Sequence, residues 1–414
     1  MTLRVYYDYK NIPSDAGEGK LNGYSLEDNI YVYHQYGKAW EALPSVLRDD
    51  IHFVGDAQHG KYYYPIIFDY RLFHQGNEFV ESQRKINIPE SVIEDAKNGL
   101  AKILLSNTYE GFLLSRFDKL VEHKILTKYD LQWNHFVTLT GNLEPQSPKG
   151  IKNIYHNSWE ESFNEYTKHD EGIFNDSIER IFLEQTRKHK FICLQRRIRD
   201  YRVILYSYLY RLRNLGILTL GGGEMSGRFE INQGWNAAKH HYPELAQYLN
   251  PQLKLTLPRI YDIDVRKFNP VNPVCGDKDL DKYKDSYLHI VPETYFLNAE
   301  GQMFFSEKIL KPFIFLQPFV IFGQTGSLAA LKQLGYKTFE SEIDESYDLE
   351  QDNEVRFKKA MMSIENVITK TDEDLNKMMK RLMPILIHNY YNLYHRCTNI
   401  KPRLERDLLI ALEH

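Results

Sequence analysis

Three consecutive polar residues precede an apolar stretch in the C-terminal half of the chain. Ser306 has the side chain of a helix N-cap, so Glu307 and Lys308 would fall in the first helical turn. Helix N–H groups and a lysine ammonium both favour an anion such as a diphosphate, and a carboxylate beside a nucleotide accepts hydrogen bonds from ribose hydroxyls. The trio indicates a nucleotide site; a plain N-cap with a surface ion pair is the alternative.

A cluster of arginines follows a strand-like segment, KFICLQRRIRDYR, at residues 190–202. It includes Arg196, Arg197, Arg199 and Arg202, at the carboxyl end of the strand, where open α/β sheets bind ligands. Arg202, at the start of the next helix, could hold a diphosphate through two hydrogen bonds and stabilise charge on a leaving nucleotide. The other three fit a solvated basic face equally well. We expect Arg202, with Arg196, at the phosphates.

Glycines accompany both segments. Gly222 lies in a run of three glycines after the arginine-rich helix, and Gly323 ends the predicted strand Pro318–Phe322 just before a helix that begins near Ser327. A strand, a glycine turn and a helix can bring backbone N–H groups close to a phosphate, although such turns are more often structural. Gly222 and Gly323 are therefore candidate members of the same anion site.

Other polar pairs in the sequence are weaker evidence for a ligand or metal site. Asp262 and Asp264 form a D-x-D pair, which can hold a divalent metal under a diphosphate but also arises often by chance. His240 and His241 lack a third ligand at metal spacing and fit the surface end of a helix. The three cysteines are far apart in sequence and fit reduced thiols. We expect no metal cofactor.

The elements that must position these residues alternate between strands and helices, which predicts parallel sheets covered by helices. The predicted strands are Leu3–Tyr9, Ile30–Tyr36, Ile51–Val54, Lys102–Ser106, Phe136–Thr140, Phe191–Leu194, Tyr287–Val291, Phe319–Phe322 and Thr338–Phe339. The predicted helices are Lys38–Leu47, Glu90–Leu100, Phe117–Leu126, Asp200–Leu215, Glu307–Phe313, Ser327–Leu334 and Asp372–Thr398, the last kinked at Pro384. The expected domains are residues 1–185, 186–371 and a C-terminal helical segment, 372–414.

Composition bounds the class of protein. With 414 residues, 43% hydrophobic and 26% charged, the chain is long enough for two domains. Its net charge of -4 gives no overall attraction to nucleic acid, although a local basic face could still bind phosphate. The longest apolar run, Phe313–Phe322, contains Gln317 and Pro318 and is too short to span a bilayer, and the first residues lack the apolar core of a secretory signal. We expect a cytoplasmic protein without a membrane span.

The order of these motifs resembles a known family. The series FICLQRRIRDYR, LGILTLGGG, IVPETYF, FFSEKILKPFIFLQPFVIFG and LGYKTF, within residues 190–348, looks like the donor domain of the α-1,3-fucosyltransferases, and like phage-encoded glycosyltransferases. The resemblance implies a GT-B-like fold, in which two Rossmann-like domains face each other across a cleft. It also implies a nucleotide-diphosphate sugar, with Arg202 and Lys308 on the phosphates, Glu307 on the ribose and Glu293 near the sugar.

The chain also departs from the family pattern. Glu293, Thr294 and Tyr295 stand where the fucosyltransferases have E-N-S, and bulky side chains at residues 315–317 replace small ones. The sugar and the base therefore stay open. The N-terminal half carries no such resemblance, so the acceptor stays open as well.

An inverting transfer without a metal needs a carboxylate as general base. Glu110, which follows the strand KILLS and precedes a glycine, is our candidate. Asp8, at the end of the first strand, and Asp56, in VGD, are near-equal rivals. For each of them taken alone, a helix cap or a turn carboxylate is the simpler explanation.

Three functions follow from this reading. The first is transfer of a sugar from a nucleotide-diphosphate sugar to a hydroxyl of a glycan or small molecule. The second keeps this donor but makes the acceptor a hydroxymethylated base in DNA, bound through the basic residues between Arg187 and Arg213. The third is a non-catalytic sugar-binding protein on the same fold.

Overall fold

A computed structural model describes fifteen stretches of the chain. They are residues 4–6, 44, 47, 52–54, 60–67, 88–107, 122–143, 151–161, 163, 186–195, 197–221, 228–255, 257, 280–298 and 302–413. These residues group into two compact units. The first unit takes the described parts of 1–161, 299–304 and 398–414, and the second takes those of 162–298 and 305–397. In this division residues 372–397 belong to the second unit.

Ten strands form two parallel sheets. The first sheet contains β1 (Arg4–Tyr6), β2 (His52–Val54), β3 (Tyr62–Ile67), β4 (Ala101–Asn107), β5 (Phe136–Thr140) and β6 (Lys152–Tyr155). The second contains β7 (His189–Cys193), β8 (Gly216–Leu218), β9 (Ser286–Pro292) and β10 (Phe319–Phe322). All neighbouring strands are parallel, which confirms the predicted α/β class with two parallel sheets.

Ten helices are described, and six of them lie between strands in the sequence. They are α1 (Glu90–Lys97), α2 (Thr127–Tyr129), α3 (Asp200–Leu209), α4 (Arg228–His241), α5 (Leu280–Lys284), α6 (Glu307–Ile314), α7 (Ser327–Gln333), α8 (Asn353–Ile368), α9 (Asp372–Thr398) and α10 (Ile400–Glu413). A π-helical turn covers Glu122–Leu126, and 3-10 turns cover Trp133–His135, Tyr210–Leu212, Leu245–Tyr248, Pro251–Leu255 and Ser346–Leu349. The predicted C-terminal helix is confirmed, and α9 continues through Pro384.

In the first unit, side chains that alternate along the strands form the core on both faces of the sheet. The order β2-β1-β3-β4-β5-β6 is the flavodoxin-like doubly wound order with one strand added at the edge. Tyr62 and Tyr64 on β3 point to the face covered by α1, where Val92 is buried. Tyr63 points to the opposite face and packs with Leu408 of α10. Successive side chains of a strand face opposite ways, so one run of tyrosines fills both layers.

The second sheet has the order β10-β9-β7-β8. Strand β7 is therefore flanked by β8, which follows it in the chain, and by β9, which comes later. The strand order reverses between β7 and β9. In open α/β sheets a ligand binds outside the carboxyl ends of the strands at such a switch point.

The predicted strand Thr338–Phe339 is wrong, because the segment has no strand partner in the described part of the chain. Side chains bind the backbone of this segment instead. The Oδ1 of Asn389 on α9 accepts from the N–H of Lys337 at 2.7 Å, and its Nδ2 donates to the carbonyl of Lys337 at 2.8 Å. The N–H of Phe339 donates to Glu345 Oε1 at 2.5 Å. The buried Phe339 ring packs edge-on against Phe319 of β10.

Parts of the prediction lie outside the described residues. These are Ile30–Tyr36, Lys38–Leu47 apart from residues 44 and 47, and residues 117–121. In the parts of the chain that the structure describes, no helix is both long enough and apolar enough to cross a membrane.

Candidate functional site

The candidate site lies at the carboxyl end of β9. Every residue of β9 is buried, as expected for a strand between two neighbours and two covering layers. Strand pairing runs one residue further, because the N–H of Glu293 donates to the carbonyl of Phe322 at 3.0 Å. The Glu293 side chain is only 1% exposed. A carboxylate is therefore fixed at the edge of the sheet, beside the switch point.

One oxygen of this carboxylate ties β9 to the start of α6. The Oε2 atom accepts from the N–H of Ser306 at 3.2 Å, from the Ser306 hydroxyl at 2.6 Å and from the N–H of Thr294 at 3.0 Å. The Oε1 atom is buried without a hydrogen-bond partner in the described structure. An unsatisfied buried carboxylate oxygen is costly, so it marks a place where a donor is missing.

Ser306 is the N-cap of α6, as the sequence predicts, since its Oγ accepts from the N–H of Lys308 at 3.4 Å. The same hydroxyl oxygen accepts from the Lys308 ammonium at 2.9 Å. That ammonium also lies 2.9 Å from Glu307 Oε1 and 3.5 Å from Thr294 Oγ1. Because the Lys308 side chain is still about one-fifth exposed, its cation can meet a ligand from solvent.

Burial and charge act in opposite directions on this ion pair. Burial lowers the pKa of Lys308, although Glu307 and Glu293 favour its charged form. Burial also tends to raise the pKa of Glu307, but attraction to Lys308 and Lys311 outweighs it, and the net shift is downward. The downward shift favours the carboxylate form of Glu307, and that carboxylate together with Glu293 favours the ammonium form of Lys308. The ammonium lies in surroundings of low polarity, where an added anion would be held strongly.

Arg202 lies beside the same segment but is turned toward protein atoms. Its Nη2 donates to the carbonyls of Pro292 and Glu293, each at 2.8 Å, and its Nε donates to the hydroxyl of Tyr201 at 3.0 Å. The side chain is 2% exposed. The guanidinium therefore holds the end of β9 in place. The predicted direct contact with a phosphate would have to be made through Nη1, which donates to the carbonyl of Arg197 at 3.4 Å.

Two further residues complete the cluster: Tyr201, which the sequence did not single out, and Arg199, which was predicted only as one member of the arginine cluster. Tyr201, at the start of α3, donates its hydroxyl hydrogen to the carbonyl of Glu293. Arg199, the N-cap residue of α3, donates from Nη1 to the carbonyl of Thr294 at 2.8 Å. The only signal for either one was its place after a strand.

Charge accumulates on this short segment. Three cations, from Arg199, Arg202 and Lys308, contact residues 293 and 294, against two carboxylates, Glu293 and Glu307. These five groups carry one positive charge in excess. An anion at this edge of the sheet would balance it.

Gly323, predicted at the donor phosphates, has a structural reason to be glycine. A Cβ atom at this position would come within 2.6 Å of the Ser327 hydroxyl, which donates to the carbonyl of Gln324 at 2.6 Å. The start of α7 is also occupied by the chain itself. Asp348 accepts from the N–H groups of Leu328 at 2.9 Å and Ala329 at 3.2 Å. Glycine here allows the strand to pack closely against the helix.

Two of the basic residues predicted to contact DNA are buried, whereas Lys188, Arg197, Arg211 and Arg213 are exposed. Arg187 is buried and donates to the carbonyl of Ser286 at 2.6 Å, and Arg202 is buried as described. Arg213, at the other end of the segment, donates to the carbonyl of Tyr210 at 2.9 Å.

Four predicted site residues lie outside the described residues: Asp8, Glu110, Arg196 and Gly222. The rival base Asp56 and the pair Asp262 and Asp264 do so as well. His241, in the last turn of α4, forms a 2.7 Å contact with Asp200. Within the stretches that are described, no group of three or more His, Cys, Asp or Glu side chains is arranged to hold a metal ion.

Comparison with known proteins adds no relative. No protein-family model, no curated protein and no solved structure matches this chain. The resemblance to fucosyltransferases therefore rests on the quoted motif residues alone.

Proposed function

We propose that this chain is a glycosyltransferase that takes its sugar from a nucleotide-diphosphate sugar bound at the carboxyl edge of the second sheet. The carrying observation is the cluster at Glu293, in which a partly exposed lysine at a helix N-terminus lies beside a buried carboxylate with one oxygen unsatisfied. The cluster is next to the switch point between β7 and β9, where this class of sheet binds ligands. The GT-B-like arrangement implied by the motif series belongs to the same proposal.

Each described residue has a role in this reaction. The Lys308 ammonium binds the diphosphate and stabilises the negative charge that develops on the leaving nucleoside diphosphate. Glu307, now paired with Lys308, accepts hydrogen bonds from the ribose hydroxyls. Arg202, Arg199 and Tyr201 hold residues 293 and 294 at the site.

The acceptor hydroxyl loses its proton to a carboxylate base, for which Glu110 or Asp8 is the sequence candidate. Transfer with inversion follows if that base and the leaving group lie on opposite faces of the sugar. No metal ion is required in this scheme, because Lys308 supplies the positive charge at the phosphates.

Calorimetric titration with UDP, GDP and ADP tests the donor site. Lys308→Met should weaken binding of the preferred nucleotide by about 10- to 100-fold, since a hydrogen bond to a charged group contributes about 1.5 to 3 kcal/mol. The matched control is Lys332→Met, which removes an exposed lysine of α7 that is paired with Glu340, and it should bind as the wild type does. Equal affinity of Lys308→Met and wild type would rule out this site.

Turnover separates an enzyme from a binding protein. Slow hydrolysis of a nucleotide sugar by the wild type, lost in Lys308→Met, is the expected result. A protein that binds nucleotides but releases no sugar from any donor would be a sugar-binding protein instead.

A further inference from the structure

The Gln195 side chain is buried, and its amide group has no hydrogen-bond partner. It follows the end of β7 by two residues and is 2% exposed. Both its Oε1 and its Nε2 lack a hydrogen-bond partner, and among the described residues it is the only side chain with two such atoms. Its backbone is well held, since its N–H donates to Thr219 Oγ1 at 3.1 Å and its carbonyl accepts from Gly221 at 3.0 Å. The lone amide is therefore not the result of a loosely placed chain.

Gln195 lies at the same end of the sheet as Glu293. Ile192 of β7 pairs with His289 of β9, so three residues further on Gln195 is level with Pro292 and, by the alternation of side chains along a strand, is directed to the opposite face of the sheet from Glu293. Neighbouring strands are about 4.8 Å apart. The two strands that flank the switch point therefore each end in a buried side chain with an unsatisfied polar atom.

We infer that Gln195 is a specificity-determining residue of the same site, and that it reads a ligand edge on which a hydrogen-bond donor lies next to an acceptor. The amide of Gln195 offers one of each. Two parts of a nucleotide sugar present such an edge: the hydroxyls of the sugar and the base. The inference rests on the proposed function of this site.

Without a ligand, the unsatisfied amide of Gln195 lowers the free energy of unfolding. A buried amide without partners destabilises the fold, and a ligand that satisfies it recovers that free energy on binding. Removal of the amide should therefore stabilise the empty protein and weaken the ligand complex. A glutamine with only a structural role would produce the opposite change in stability and no change in ligand preference.

Gln195→Met, which keeps the size of the side chain, tests this in the full-length protein. We expect its melting temperature to rise by about 2 to 4 °C. The matched control is Gln317→Met: Gln317 is equally buried, but its Nε2 donates to the carbonyls of Tyr283 at 2.6 Å and Ser286 at 2.8 Å. That control should melt at a lower temperature than the wild type.

Binding of UDP, GDP, UDP-glucose and GDP-fucose then identifies the edge that is read. If Gln195 reads the sugar, the variant loses about tenfold in affinity for the preferred nucleotide sugar and keeps its affinity for the nucleoside diphosphate. If it reads the base, the variant loses the wild-type preference between UDP and GDP. Both results support the inference.

Three results would overturn it. One is wild-type affinity of Gln195→Met for all four probes, and another is a variant that melts earlier than the wild type. The third is a wild type that binds none of the probes, which would remove the proposed function itself and is recognised because Lys308→Met then also changes nothing.

Discussion

Two neighbouring strands of the second sheet are each followed by a helix N-terminus, and the two helices are finished in different ways. At α7, Asp348 uses both carboxylate oxygens on the N–H groups of Leu328 and Ala329, and its own carbonyl accepts from Gly326 at 2.8 Å. At α6, Glu293 uses one oxygen only, and the first turn carries the partly exposed Lys308. At the α7 junction, Asp348 binds the helix N–H groups. The α6 junction keeps a partly exposed cation, Lys308, and an unsatisfied acceptor, Glu293 Oε1.

The difference between the α6 and α7 junctions shows when a strand, a polar turn and a helix indicate a ligand site. Both junctions have the residue types that suit an anion, a glycine or serine before the helix and a helix N-terminus. Each junction leaves one buried side-chain oxygen without a partner, Glu293 Oε1 at α6 and Gln324 Oε1 at α7. Only the α6 junction also has a partly exposed cation in the first turn of its helix, so the cation distinguishes the candidate site better than the sequence motif does.

The largest effect should come from loosening the α6 junction. Arg202→Met removes the donors that hold the carbonyls of Pro292 and Glu293, and we expect a loss of about 3 kcal/mol in the free energy of unfolding. Urea unfolding measures it. The control Arg211→Met removes a guanidinium that is mostly exposed and should change stability by less than about 0.5 kcal/mol. A stable Arg202→Met protein that cannot bind nucleotide would instead restore the direct phosphate contact predicted from sequence.

Weakening the hydrogen bonds at the start of α7 should reduce stability less than Arg202→Met does. Asp348→Asn removes the charge that faces the helix N–H groups, and we expect about 2 kcal/mol less stability. Nucleotide affinity should not change, because Asp348 and not a ligand occupies the N–H groups at the start of α7. An affinity loss as large as that of Lys308→Met would erase the contrast between the two junctions.

The pH dependence of nucleotide binding should report on Lys308. Burial lowers its pKa below the ordinary value of 10.5, so the ammonium loses its proton at a lower pH than an exposed lysine does. Affinity should be constant below this lowered pKa and fall as pH rises through it, by up to about tenfold per pH unit. Lys308→Arg, which stays charged, should remove the decline. If affinity still falls with pH in Lys308→Arg, a titratable group other than Lys308 causes the fall.

The smallest effect concerns Gly323. Gly323→Ala places a Cβ atom 2.6 Å from the Ser327 hydroxyl, and we expect about 1 kcal/mol of destabilisation as the helix adjusts. The double variant Gly323→Ala, Ser327→Ala should recover most of it, as a double-mutant cycle in urea would show. A glycine needed for phosphate would behave differently: nucleotide affinity would drop in both the single and the double variant.

Long apolar runs with clear ends were readable from sequence. Strands β5 and β10 and the start of α6 at Ser306 appear where they were predicted, because a buried strand needs a continuous apolar run and a helix start needs a cap. Strands β3, β6 and β8 were missed. Gly216–Leu218 has three residues, and Tyr62–Ile67 contains a proline and three tyrosines, so neither shows a clear period.

For the candidate site, the sequence determined the residue types at each strand end: the S-E-K trio, the glutamate after β9 and the arginines after β7. Only the tertiary structure decided which partners these side chains have. Arg202 is turned toward carbonyls, Asp348 closes α7, and Gln195 is left without a bond. The physical reason is that hydrogen-bond satisfaction depends on groups far apart in sequence, such as residues 202 and 293, which only the folded chain brings together.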